Sequence, residues 1–96
     1  MQLLTAELRK TLPKLGTTDK PNDPHIARVK FFDPIGSWKW YAMEFDGKDR
    51  FFGLVVGFER EMGYFSLSEL KSIKLSFGLG IERDLYFTPT PMADLP

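Results

Sequence analysis

The stretch from residue 50 to 70, RFFGLVVGFEREMGYFSLSEL, restricts the possible fold more than any other part of the chain. Phe52, Leu54, Val56 and Phe58 recur at every second position, the period of a strand with one apolar face. A polar break at residues 59–63 follows, and residues 64–67 turn back. Ser66-Leu67-Ser68-Glu69 then has the spelling of a capping box, so a helix is expected to start there. A hairpin running directly into a helix describes architecture. It contains no chemistry.

The rest of the chain extends this unit. Thr5 is placed to cap a short helix over residues 6–12, ended by Pro13. GTTDKPNDP (16–24) is rich in turn formers and reads as a loop. Strands are expected at 25–32 and 38–45, separated by a five-residue turn at 33–37. Asp46-Gly47-Lys48-Asp49 is the hairpin signal that leads into a strand at 50–58, and 64–67 supplies a fourth strand. A helix is expected near 68–75. Residues 81–84 read as a helical turn or a short strand, and the proline-punctuated tail 85–96 packs along the surface. The expected fold is one α+β domain, residues 1–96. It has a four-stranded antiparallel β-meander, flanked by an N-terminal helix and a helix after strand four, with an irregular C-terminal tail.

Turn lengths assign the faces of the sheet, because a strand alternates sides residue by residue. A two- or four-residue loop at 46–49 puts Tyr41, Met43 and Phe45 with Phe52, Leu54 and Val56. The turn at 33–37 adds Val29 and Phe31, and a four-residue loop at 60–63 adds Phe65 and Leu67. This side is expected to be the core. The other side then carries Arg28, Lys30, Phe32, Trp38, Trp40, Glu44, Phe51, Val55, Tyr64 and Ser66, with Gly53 and Gly57 between them. One of the tryptophans is expected to cover a glycine of the neighbouring strand, and Lys30 to face Trp40 as a cation–π pair. Either the helix or the tail covers this second face, or it stays open as an aromatic and cationic binding surface. In the open case Arg28, Lys30, Trp38, Trp40 and Tyr64 are the candidate binding residues.

Thirteen basic residues balance thirteen acidic ones, so net charge gives no bulk attraction for nucleic acid or anionic membrane. There is no cysteine, which removes disulfides, thiolate metal sites and cysteine nucleophiles. The single histidine, His25, reads as a strand-start residue; no metal site and no cofactor are expected. Asp46 and Asp49 lack calcium-loop spacing, and Glu59 and Glu61 sit at a turn. Ser66 and Ser68 have no nucleophile elbow around them, and Gly78-Leu79-Gly80 is no phosphate loop. RFFGLVVGF matches the aromatic strand of an RNA-recognition motif only weakly, and the βαββαβ order is missing. Glu82-Arg83-Asp84 reads as an ion-paired turn. No catalytic constellation assembles. The start, MQLLTAELRK, has no signal-peptide run and no stretch is long enough to span a membrane, so a soluble cytoplasmic protein is expected.

LTAELRKTLPKLG, VKFFDPIGSWKWYAMEFDG, FFGLVVGFEREMGYFSLSEL and GLGIERDLYFTPTPM, read in that order, resemble the bacterial family known as domain of unknown function 2958. The resemblance runs from Leu3 to Met92. It implies a small bacterial protein, often carried by plasmids, phages or other mobile elements, and it brings no catalytic residues. The leading expectation is a non-enzymatic protein-binding module that engages a host or element-encoded protein. The alternative is a single-stranded nucleic-acid binder with Trp38 and Trp40 as stacking platforms and Arg28 and Lys30 on phosphates. An enzyme using Glu44, Glu59 or Glu82 is a third class.

Overall fold

A computed structural model describes all 96 residues. In chain order the elements are α1 (Ala6–Thr11), β1 (Ile26–Ala27), β2 (Val29–Phe32), β3 (Lys39–Phe45), β4 (Arg50–Val56), β5 (Arg60–Ser66), α2 (Leu67–Ser72), β6 (Glu82–Arg83) and β7 (Thr90–Pro91). Strands β2 to β5 form the expected antiparallel meander. The sheet has five strands rather than four, in the order β5-β4-β3-β2-β6, because Glu82–Arg83 adds to the outer side of β2. The strand expected at 25–32 breaks at Arg28. Its first part, β1, leaves to pair with β7 of the tail as a separate two-stranded sheet. His25, read as a strand start, instead sits in the left-handed region (φ 52°) at the corner before β1.

Both helix starts follow from their caps. Thr5 Oγ1 accepts from Leu8 N at 3.1 Å, and Ser66 Oγ accepts from Glu69 N at 3.1 Å. Each bond satisfies one of the donors that a first helical turn leaves without a partner. Asp49 strengthens the second start, taking Ser68 N at 2.8 Å and Ser68 Oγ at 2.6 Å.

The registers decide the faces, and they differ from the expectation at three places. The β2–β3 loop has six residues, since Phe32 pairs with Lys39. That one extra residue turns β2 over, so Val29 and Phe31 face the same side as Ala42 and Trp40. The β4–β5 turn is Gly57-Phe58-Glu59, with Val56 paired to Arg60, so β5 begins four residues before the expected Tyr64. Phe65 therefore lies beside Phe51. Finally, the β3–β4 register shifts between Ala42 and Glu44, which makes Met43 a bulge. Tyr41 still pairs with Leu54 as expected, but Phe45 moves to the face of Phe51.

Two cores result instead of one. The larger holds Val29, Phe31, Trp40, Phe45, Phe51 and Phe65, covered by Leu3, Leu4 and Leu12 around α1, by Leu67 and Leu70 of α2, and by Ile81. Phe51 is its centre, with ring centroids of Phe31, Phe45 and Phe65 at 5.6, 4.6 and 5.2 Å. The smaller core lies on the opposite face. Ala27, Tyr41, Met43 and Leu54 are buried there under Leu95, with Phe87 and Met92 alongside. The tail thus supplies the lid that a bare sheet face requires.

Glu44 is the one buried acidic residue, at 3% exposure. Its carboxylate accepts from Gly16 N and Thr18 N, both at 2.8 Å, and from the Thr18 hydroxyl, which ties the 13–24 loop to β3. Burial pushes its pKa up, but the three hydrogen bonds outweigh burial and hold it below its ordinary 4.5. Between the folded value and 4.5 the unfolded chain binds more protons, so stability rises with pH there. Glu44→Gln is expected to lower stability at neutral pH by about 1–3 kcal/mol. The gap to wild type should close as pH falls through the folded pKa, in urea melts run from pH 7 downward.

Candidate docking site

The five residues singled out in the sequence do not share a surface, because the β2 and β5 registers both differ from the expected ones. Trp38 and Trp40 lie on the large-core side with their rings stacked at 5.9 Å. Trp40 is 8% exposed and belongs to that core. Lys30 lies on the other side. It sits over the Tyr41 ring at 5.8 Å, not over Trp40, and pairs with Asp84 at 3.7 Å. Tyr64 is also on that other side, exposed, edge-on to Phe52 at 5.0 Å with the Arg50 guanidinium 5.7 Å from its ring centre. Arg28 stands at the break between β1 and β2, where its Nε is buried without a hydrogen-bond partner. Of the second face assigned from the sequence, Trp38, Trp40, Phe51 and Val55 go to one side of the sheet, which is covered. Lys30, Phe32, Glu44 and Tyr64 go to the other.

Trp38 keeps its expected role. Its ring covers Gly57, where any Cβ would collide with the indole. It is only half-buried, and its outer edge meets a residue that the alternation aligns with the apolar face of the strand expected at 50–58. Phe58 is 96% exposed and stands edge-on to Trp38 at 5.5 Å, with an interplanar angle of 81°. The two-residue alternation of 52, 54, 56 and 58 ran on into the turn and disguised it. No sequence signal separates Phe58; the pairing of Val56 with Arg60 in the folded sheet makes 57–59 a three-residue turn.

Trp38, Val55, Gly57, Phe58, Glu59 and Glu61 line a notch of about 280 Å³ at this corner. Its base is apolar and aromatic, and its rim carries two carboxylates. Gly57 N donates to Glu59 O at 2.9 Å, so the turn that presents Phe58 is closed by a backbone bond. Chemically, the notch offers an aromatic wall for an apolar group and negative charge for a cation beside it.

A larger concavity, about 620 Å³, is lined in part by Asp46, Asp49, Arg50, Tyr64, Ser66 and Glu69. Three of its polar side chains, Asp46, Asp49 and Ser66, are engaged in the fold. Asp46 Oδ1 accepts from Lys48 N, Asp49 N and Arg50 N at 2.7–3.0 Å, which holds its pKa down, while Asp49 and Ser66 cap α2. Phe77 and Tyr86 are as exposed as Phe58, at 93% and 94%, but neither ring packs against a second aromatic. No helix is long and apolar enough to cross a membrane.

No curated protein and no solved structure matches the chain. A family model does, over residues 3–94, and its description is "Protein of unknown function (DUF2958)". The match covers the meander, both helices and the tail that closes the smaller core, and the chain belongs to the DUF2958 family.

Proposed function

We propose that this protein is a non-enzymatic protein-binding module whose docking site is the Trp38–Phe58 notch. The supporting observation is Phe58 itself, a phenyl ring held in water on a hydrogen-bonded turn and braced by a tryptophan. Turn positions normally go to glycine, asparagine or aspartate, so a large apolar side chain there answers to something other than folding. Aromatic anchors of this kind dominate binding energy once a partner dries them. Glu59 and Glu61 define the partner's chemistry: an apolar side chain for the notch with a lysine or arginine next to it.

The rim also favours this reading over single-stranded nucleic acid. Stacking platforms for a strand work beside cations, whereas here carboxylates flank the rings and Lys30 is across the sheet. In the setting implied by the family resemblance, a bacterial cytoplasm and a plasmid, phage or other mobile element, the partner is a host or element-encoded protein.

The test is parallel affinity capture from the native host with wild type and Phe58→Ala, with and without nuclease. The reading expects a protein that wild type retains, that Phe58→Ala and a Glu59→Lys/Glu61→Lys double variant lose, and that nuclease does not release. Equal recovery on all baits, or nuclease-sensitive nucleic acid as the retained species, would count against it.

A further inference from the structure

The outer edge of β5, which shares only Glu61 with the notch, supports a second inference. β5 is the end strand of the sheet and its outward side pairs with nothing over seven residues. The direction of its backbone groups follows from two bonds. Gly57 N donates to Glu59 O at 2.9 Å and Leu67 N to Asp49 O at 2.8 Å, so the odd-numbered residues bond inward to β4. Arg60, Met62, Tyr64 and Ser66 therefore direct their N–H and C=O groups outward.

Soluble proteins blunt such edges with prolines, charges, bulges or short length. The opposite edge of this sheet is blunted: β6 has two residues, and the Met1 sulfur accepts from Arg83 N at 3.1 Å. β5 has none of these devices through its middle. Met62-Gly63-Tyr64-Phe65 is uncharged and its register on β4 is unbroken. Its exposed side chains are Met62 and Tyr64, the latter 64% exposed.

We propose that this edge pairs antiparallel with β5 of a second copy, on a two-fold axis through Gly63. Gly63 is the midpoint of Arg60–Ser66, so this register alone matches the whole strand against itself. It places Met62 opposite Tyr64 of the partner subunit and Arg60 opposite Ser66 of the partner subunit, in pairs whose backbone groups already point outward. Met62 then lies against an aromatic ring, a favourable sulfur contact. Glu61 falls opposite Phe65 of the partner subunit, so no like charges meet. Centring the pair on Glu61 would set two carboxylates face to face. The result is one continuous sheet across two copies, an isologous interface.

The absence of cysteine makes the register directly measurable. At Gly63 an added Cβ meets nothing within 4 Å, so Gly63→Cys should fold normally. On the axis the two residues form a non-hydrogen-bonded pair, with Cα atoms about 4.5 Å apart, inside disulfide range. Gly63→Cys should cross-link to itself at least ~10-fold faster than Glu61→Cys, whose copies lie apart in this register. Sedimentation across a dilution series should show wild type as a reversible dimer. Met62→Pro removes an outward N–H without touching the bonds to β4, and should be a monomer with the wild-type fold by circular dichroism. If Met62→Pro unfolds, Tyr64→Lys tests the same edge from its side chain. A wild-type monomer at every concentration would overturn the proposal. So would a dimer in which Gly63→Cys links no faster than Glu61→Cys.

Discussion

Gly53→Ala is expected to be the most damaging conservative substitution in the chain, with a loss on the order of 4 kcal/mol. The bulge at Met43 brings the β3 backbone over β4, and a Cβ on Gly53 would run into the Tyr41 carbonyl oxygen and the Met43 nitrogen. Backbone atoms in the middle of a sheet cannot swing aside as a side chain can, so the strands must separate. Gly63 supplies the control. It is the direct cross-strand partner of Gly53, yet its Cβ position is open, and Gly63→Ala should change stability by less than ~1 kcal/mol. Urea melts of the two variants measure the contrast. Equal effects would mean that the bulge is absent.

Trp40→Ala is expected to cost about 3–5 kcal/mol, the range for emptying an aromatic site in a core. Trp40 pairs with Val55 and Phe31, stacks on Trp38, and is closed over by the α1 and α2 side of the protein. This outcome would separate two descriptions of the same residue. If Trp40 lay on an open binding face, its removal would leave folding nearly intact and abolish docking. In the observed packing it unfolds the domain first, so loss of binding in that variant carries no information about a site. A stability loss below ~1 kcal/mol in urea would place Trp40 on the surface after all.

One residue of loop brought Val29 and Phe31 to the side of Trp40. Asp33-Pro34-Ile35-Gly36-Ser37 announces a turn but not its length, and Trp38 joins the loop where it was expected to open the strand. Because side chains alternate, that single step exchanged the two faces of β2 and separated Lys30 from Trp40. The same holds at 57–59, where Glu59-Arg60-Glu61 reads as a polar loop although Arg60 and Glu61 are already paired in β5. Local chemistry was legible: the caps at Thr5 and Ser66, the Asp46 turn, and a tryptophan over a glycine. Long-range pairing was not. Nothing near Thr90-Pro91 marks it as the partner of Ile26-Ala27, and nothing near Met43 marks a bulge. The notch inherits both halves of this. Trp38 could be named from the sequence, and Phe58 needed the register.

The measurement that bears most directly on the proposed function is the affinity of the captured protein for wild type and for Phe58→Ala, with urea melts of both. Phe58 is almost fully exposed, so its removal should leave the melting midpoint within error of wild type. A hot-spot anchor contributes about 2 kcal/mol or more, so the dissociation constant should rise about 30-fold or more. Unchanged affinity in a variant that melts like wild type would contradict the assignment of the Trp38–Phe58 notch as the docking site.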